Sequence, residues 1–202
     1  MSAVGALLAF GAVTLTSASG APPTASRTAT QEIAARAAIH PVATPSQMRA
    51  WLTRVPATRA FPPDFDDTLR SHAQLLVIEM ATTPNCVPCA DLWSKLSAFR
   101  ARYGWQVRTI DSNEAMLRSG RLGLPWVGNP IAWVRPINDD NRMIPIAIGT
   151  DHPVNVARNA YLASKMLTGV RAAVAVRAMS KFTGIVGAER PAHDARSGRP
   201  RA

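Results

Sequence analysis

Cys86 and Cys89 are the only two cysteines of the chain, and Val87 and Pro88 separate them. An apolar run over 74–80 ends shortly before them, and a helical pattern begins near Pro88. A thiol in the first turn of a helix lies over backbone N–H groups that have no partner, and the positive end of the helix dipole favours its thiolate form. This spacing predicts a dithiol that forms and breaks a disulfide reversibly.

Other uses of a Cys-x-x-Cys pair fit the sequence less well, and we expect neither a metal nor another cofactor. Covalent haem attachment requires a histidine directly after the second cysteine, where this chain has Ala90. A structural disulfide stays open as an alternative, although its very short loop would add little entropic stabilisation. A zinc site needs at least two further ligands, and the histidines are scattered singly, as expected of surface or loop residues: His40, His72, His152 and His193.

The composition allows one domain with extensions, because the chain has 202 residues of which 47% are apolar. Its formal net charge of +10 is compatible with acidic partners or an anionic membrane surface, and equally with plain solubility. No nucleic-acid-binding motif accompanies the charge, so we expect no nucleic-acid partner.

The first residues have the layout of a secretory signal peptide over 1–20. An uncharged apolar run over 3–16 is followed by small residues, and cleavage is expected after Gly20. No Lys or Arg precedes the run, which leaves an upstream start or an uncleaved membrane anchor as alternatives. The segment predicts a periplasmic or secreted protein, in an oxidising compartment where a dithiol depends on a redox partner.

A linker and a short helical extension are predicted over 21–66. A first helix is expected over 29–39. A second begins at Pro45, with Thr44 and Gln47 spaced as a capping box, and its apolar stripe ends before the next proline.

The main domain is predicted over 67–170. Its first part contains strands at 75–80 and 105–110, each followed by a helical pattern, as in a parallel unit with right-handed crossovers. Strand-like runs at 130–134 and 143–148 follow, with turn residues between them, and predict an antiparallel hairpin.

Pro145 lies inside the last of these runs and favours an edge strand. A final helix is predicted to open at Pro153. Residues 171–202 form a basic C-terminal extension that we expect to be partly disordered, above all over 190–202.

This order, β-α-β-α-β-β-α with Cys-x-x-Cys after the first strand, resembles the thioredoxin fold over 74–167. That family has a cis-proline opening the third strand, opposite the dithiol; Pro130 is the candidate here and Pro125 the second candidate. The approach Thr83-Pro84-Asn85-Cys86 is similar to exported isomerases and reductases of the Dsb type. The resemblance implies an α/β, thioredoxin-like fold: a central four-stranded mixed sheet flanked by helices, with an N-terminal helical extension and a basic C-terminal tail.

Within this arrangement, Cys86 at the start of the helix is expected to be exposed and to attack a substrate disulfide, and Cys89 to resolve the mixed disulfide. Asn85 is expected to cap the helix and to contact the substrate. Asn129 and Pro130 would offer their backbone to an extended substrate chain, a strand-addition contact that suits many client sequences.

Two further side chains are candidates for the site. Trp126 is expected to contact the substrate. Glu79 is a candidate proton acceptor for Cys89, and the alternative is an ordinary strand carboxylate. The uncharged Val87 and Pro88 between the thiols predict a weakly oxidising disulfide.

These expectations converge on an exported thiol-disulfide oxidoreductase, a reductase or isomerase of protein disulfides. Its partners would be protein substrates with thiols or disulfides and an unidentified redox partner. The segment from Cys86 to Pro130 has no room for the inserted helical domain of Dsb-type oxidases, so a dedicated oxidase is not expected. The residues before the main domain are expected to form short helices and not the dimerisation domain of the known isomerases, which argues against an isomerase that works as a similar dimer. The alternative is a non-catalytic thioredoxin-like component of an envelope assembly, such as a conjugation or secretion apparatus.

Overall fold

The computed structural model of the chain describes residues 39–121, 123 and 126–188. Several predictions concern residues outside these ranges: the signal peptide, the helix expected over 29–39 except for its last residue, the second candidate Pro125, and the tail over 190–202. Along the chain the elements are β1 (His40–Val42), α1 (Pro45–Leu52), α2 (Phe65–Ser71), β2 (Leu76–Ala81), α3 (Val87–Tyr103), β3 (Gln106–Ile110), α4 (Ser112–Arg121), β4 (Ile131–Pro136), β5 (Ile144–Ile148), α5 (Pro153–Leu167), α6 (Ala172–Ala178) and β6 (Ile185–Gly187).

Four strands form a mixed sheet in the order β3-β2-β4-β5. β2 runs parallel to β3, whereas β2 with β4 and β4 with β5 are antiparallel. The predicted four-stranded mixed sheet, its parallel strand-helix-strand unit and its hairpin are therefore confirmed. β5 lies at the edge of the sheet, as Pro145 predicted.

The central strand β2 is buried along its whole length and divides two hydrophobic clusters. Alternate side chains of a strand point to opposite faces of the sheet. Ile78 and Met80 pack with Cys89 and Leu92 of α3, whereas Ala81 packs in a separate cluster with Ala115 of α4. Helices therefore flank the sheet on both faces, and the two cysteines belong to the α3 face.

α3 is the helix that carries the dithiol. Its buried side chains recur at three- and four-residue steps and include Leu92, Leu96 and Phe99, which fasten it to the sheet. Gly104 ends the helix with φ +77°, a left-handed conformation that glycine adopts without steric cost. The packing of these buried side chains on the sheet holds the first turn of α3 at the end of β2.

A second, two-stranded sheet joins the two ends of the described chain. β1 and β6 pair in parallel, with His40 opposite Ile185 and Val42 opposite Gly187. The helix α1 follows β1, and the predicted capping box of Thr44 and Gln47 is present at its start. Its Met48 is buried in one cluster with Val42 and Ile185.

The sequence did not predict β1, β6 or α6. Three-residue strands are too short to show alternation, and their pairing partner lies at the other end of the chain. The segment expected as a partly disordered extension from residue 171 contains α6 and β6. Within the described part of the chain, no helix combines the length and the apolar character that a membrane span requires.

Candidate functional site

The two cysteines form a disulfide at the start of α3, with their Cα atoms 5.2 Å apart. Cys86 is the N-cap residue of this helix. Its Sγ accepts a hydrogen bond from the backbone N–H of Cys89 at 3.2 Å. One of the unpaired N–H groups of the first turn is thus directed at Cys86 sulfur, which favours its thiolate once the disulfide is reduced.

Asn85 lies one residue before the cap, not at it as the sequence analysis expected. Its φ of +59° makes it the one non-glycine residue with positive φ among the described residues. Asparagine tolerates this left-handed conformation better than most side chains. The turn directs Cys86 into the cap position, and Asn85 lines the groove described below.

Pro130 opens β4 directly opposite the disulfide. The Asn129–Pro130 peptide bond is cis, which confirms Pro130 as the cis-proline. The Sγ of Cys86 lies 3.8 Å from the carbonyl oxygen of Asn129. The structure therefore brings together Cys86, Cys89, Asn129 and Pro130 as predicted.

The backbone that Asn129 and Pro130 were expected to offer to a substrate is already paired within the chain. The carbonyl of Asn129 accepts a hydrogen bond from the N–H of Gly187 at 2.8 Å, and the carbonyl of Pro130 accepts one from Gly149 at 2.8 Å. Both carbonyls therefore already have a partner in the chain. The partner of Asn129 lies in β6, a strand that the sequence analysis did not identify, whereas the partner of Pro130 directly follows β5.

β6 also covers Cys86. Only 8% of Cys86 is exposed, and 3% of Cys89. A Cβ placed on Gly187 would lie 3.1 Å from the Sγ of Cys86. The predicted exposure of Cys86 is therefore wrong, although Cys86 is the more exposed residue of the pair.

Two grooves meet at Cys86. The first, which we call the Trp126 groove, has a volume of about 520 Å³ and is lined by Asn85, Ser112, Trp126 and Asn129 together with the end of β6. The second, the Trp93 groove, has a volume of about 650 Å³, is lined by Thr82, Trp93 and Thr109, and also reaches Cys89. The half-buried Trp126 thus lines the same groove as Cys86, and its contact with a substrate stays a prediction.

Asn129, which lines the Trp126 groove, has an unpaired side-chain acceptor. Its Nδ2 donates to the Oγ of Ser112 at 2.7 Å. Its Oδ1 is buried and has no partner within the described part of the chain. An unpaired buried acceptor carries a free-energy cost. Ser112 was not identified from the sequence; it follows the end of β3, where loops after parallel strands converge.

Glu79 is not part of this site. It is fully buried, and β2 directs it away from the α3 face on which neighbouring Ile78 and Met80 meet Cys89. Its carboxylate forms ion pairs with the guanidinium groups of Arg108, Arg118 and Arg135. The structure therefore does not support Glu79 as the proton acceptor of Cys89.

The pKa of Glu79 agrees with this structural role. Burial alone raises the pKa of this carboxyl, but hydrogen bonds from Arg135 and Arg108 and the charge of Arg118 outweigh burial and hold it below its usual range. A carboxylate with a lowered pKa is a weaker base.

The surroundings of the disulfide are uncharged. Among the described residues that line the two grooves, the cysteines are the only ones with an ionisable side chain. Stabilisation of a Cys86 thiolate therefore depends on the backbone N–H of Cys89 and on the start of α3, without help from a cationic side chain.

No family model, no curated protein and no solved structure matches the chain. The Cys-x-x-Cys pair, its place at a helix start and the mixed sheet behind it are the features from which a function is inferred.

Proposed function

We propose that the chain is an exported thiol-disulfide oxidoreductase with a thioredoxin-like fold, acting as a reductase or isomerase on protein disulfides. The observation that carries the proposal is the Sγ of Cys86, which caps α3, accepts the N–H of Cys89 and lies beside the Asn129–Pro130 bond. The mixed sheet with helices on both faces is compatible with that fold. Export and the choice of clients rest on the sequence alone.

The exchange proceeds in two steps. The Cys86 thiolate attacks one sulfur of a client disulfide, forms a mixed disulfide and releases the other client sulfur as a thiolate, which takes up a proton. The Cys89 thiolate then attacks the sulfur of Cys86, forms the Cys86–Cys89 disulfide and releases the client's second thiolate. The client gains two electrons and the protein loses them. The buried position of Cys89 suits the second step, because Cys89 attacks the neighbouring sulfur of Cys86 and needs no direct access to a free client.

The uncharged grooves favour the reducing direction. A cationic neighbour would stabilise the thiolate of the reduced form and make the disulfide a stronger oxidant. The described lining residues supply none. The pair is therefore proposed to be a weaker oxidant than dedicated oxidases, which suits a reductase or isomerase.

The experiment that tests the proposal is trapping of mixed disulfides. Cys89→Ser leaves Cys86 free to attack and removes the resolving thiol, so disulfide-linked complexes with client proteins should accumulate on non-reducing gels. Cys86→Ser, which keeps the buried Cys89, is the matched control and should trap none. Equal trapping by both variants, or by neither, contradicts the proposal.

A second candidate function is a non-catalytic thioredoxin-like component of an envelope assembly. The coverage of Cys86 by β6 favours it, since a covered sulfur reacts slowly with large clients. If the double Cys→Ser variant retains full function in its host while deletion of α1 abolishes it, this candidate replaces the first.

A further inference from the structure

β6 passes Cys86 so closely that a side chain at position 187 would lie at the distance of a disulfide partner. A Cβ on Gly187 would lie 3.1 Å from the Sγ of Cys86 and 3.6 Å from its Cβ. In protein disulfides the two Cβ atoms are about 3.5–4.5 Å apart, and a Cβ lies about 3 Å from the partner sulfur. A cysteine at position 187 would therefore be placed to form a disulfide with Cys86.

The backbone at this position is paired as an added strand would be. Gly187 donates its N–H to the carbonyl of Asn129 at 2.8 Å. This is the carbonyl that an extended client was expected to use. A substrate strand that paired with Asn129 would occupy the place that β6 now fills.

The end of β6 is held less firmly than its start. Ile185 is fully buried, packs with Val42 and Met48, and accepts a hydrogen bond from Thr150 at 3.1 Å. Gly187 is only half-buried and Ala188 is exposed. Besides the pairing of β6 with β1, this end is held by hydrogen bonds from the N–H of Gly187 to the Asn129 carbonyl and from the N–H of Ala188 to the Val42 carbonyl. Release of Gly187 from Asn129 would thus not require Ile185 to leave its cluster with Val42 and Met48.

We propose that the end of β6 is an internal pseudo-substrate: Gly187 occupies the position of a client cysteine next to Cys86, and a client must take over the Asn129 carbonyl to react. The inference rests on the proposed exchange function. It identifies the preferred client as an extended polypeptide segment with its cysteine at the Gly187 position. Glycine is the residue that permits this occupancy, since any Cβ there would press on the Cys86 sulfur.

The geometry is tested in the full chain by introducing Gly187→Cys together with Cys89→Ser. In a glutathione redox buffer, the Cys86 thiolate attacks oxidised glutathione and releases one glutathione, and the introduced thiol then attacks the Cys86 sulfur and releases the second. The neighbouring Ala188→Cys, also with Cys89→Ser, is the matched control, because adjacent strand residues point to opposite sides. Disulfide formation is quantified by mass spectrometry after alkylation of the remaining thiols.

We expect the effective concentration of the Gly187→Cys thiol toward Cys86 to exceed that of the Ala188→Cys thiol by at least about 100-fold, since an aligned pair reacts far better than one on a flexible tether. Equal effective concentrations, with native circular dichroism in both variants, overturn the inference.

The competition is tested with two shortened forms of the Cys89→Ser chain. One ends at Ala188 and keeps the contact between Gly187 and Asn129, whereas the other ends at Val186 and lacks it. The probe is a peptide of residues 182–188 with cysteine at the Gly187 position, activated as a mixed disulfide with nitrothiobenzoate. Attack by Cys86 joins the peptide to the protein and releases the coloured aromatic thiolate, whose absorbance gives the rate. A peptide with cysteine at the Ala188 position is the control.

We expect the form ending at Val186 to react about tenfold faster with the first peptide, and to gain less with the control peptide. Equal rates in the two forms, or equal gains for the two peptides, overturn the pseudo-substrate role while leaving the exchange function in place. A Cys86 that reacts with neither peptide in either form refutes the proposed function itself, and the inference with it. If the form ending at Val186 does not fold, the full-chain comparison of Gly187→Cys with Ala188→Cys decides.

Discussion

Replacing Glu79 by glutamine should cost stability without changing the exchange chemistry. The Glu79 carboxylate is fully buried and is paired with Arg118, whose side chain is 7% exposed, and with Arg135, whose side chain is 4% exposed. The substitution keeps the size of the side chain and removes its charge. Two buried guanidinium groups would then lack their central counter-ion.

Removing one partner from a buried ion pair costs about 3–5 kcal/mol. Arg108, with a side chain 55% exposed, adds at most about 1 kcal/mol to this. Arg118 retains Glu114 and Arg135 retains Asp140, so we expect the lower end, about 3 kcal/mol. Urea denaturation at pH 7 measures the loss in the free energy of unfolding.

The matched control is Glu114→Gln. Glu114 pairs with the same Arg118 but is 44% exposed, so its loss should cost about 1 kcal/mol or less. Because the folded-state pKa of Glu79 is lowered, its contribution is present above the unfolded-state pKa and is lost as pH falls through the folded value. The cost of Glu79→Gln should therefore shrink at acidic pH. A cost below about 1 kcal/mol at pH 7, or an altered pH profile of thiol alkylation, would refute this structural assignment.

Three more predictions concern other parts of the chain. Burial raises the pKa of Asp151 from 3.8 to about 6, so this group should lower the stability by about 2 kcal/mol as pH rises from 4 to 6; Asp151→Asn should remove that slope in urea titrations. Gly149→Ala should cost more than about 3 kcal/mol, because its Cβ would lie 2.3 Å from the backbone nitrogen of Ile185, and should speed alkylation of Cys86 once the disulfide is reduced. Gly123→Ala meets no atom within 4 Å and should cost only about 1–2 kcal/mol, because alanine is strained at its positive φ. Trp126→Ala should raise KM for protein clients about threefold to tenfold and leave reduction by dithiothreitol unchanged.

The long elements of the fold were predictable because their patterns are long. The buried run that became β2, the three- and four-residue steps of α3 and the hairpin of β4 and β5 each carry a signal within one stretch of sequence. The dithiol and its helix were therefore identifiable from the sequence. The cis-proline was expected only from the resemblance to the thioredoxin fold, and the strand that begins directly after Pro130 favoured it over Pro125.

The position of β6 over Cys86 was not predictable from these patterns. β1 and β6 have three residues each, and their pairing depends on contacts between opposite ends of the chain. Glu79 was misplaced for a related reason. In a strand buried on both faces, apolar neighbours do not reveal which side each residue points to, and the arginines that pair with Glu79 lie on three different elements.

The reduction potential of the Cys86–Cys89 pair tests the central claim most directly. The protein is equilibrated in glutathione buffers of known ratio, and the reduced fraction is measured by alkylation and mass spectrometry. An exchangeable, weakly oxidising dithiol predicts a reversible two-electron transition between about −270 and −180 mV. A potential below about −300 mV, typical of structural disulfides, would contradict the account.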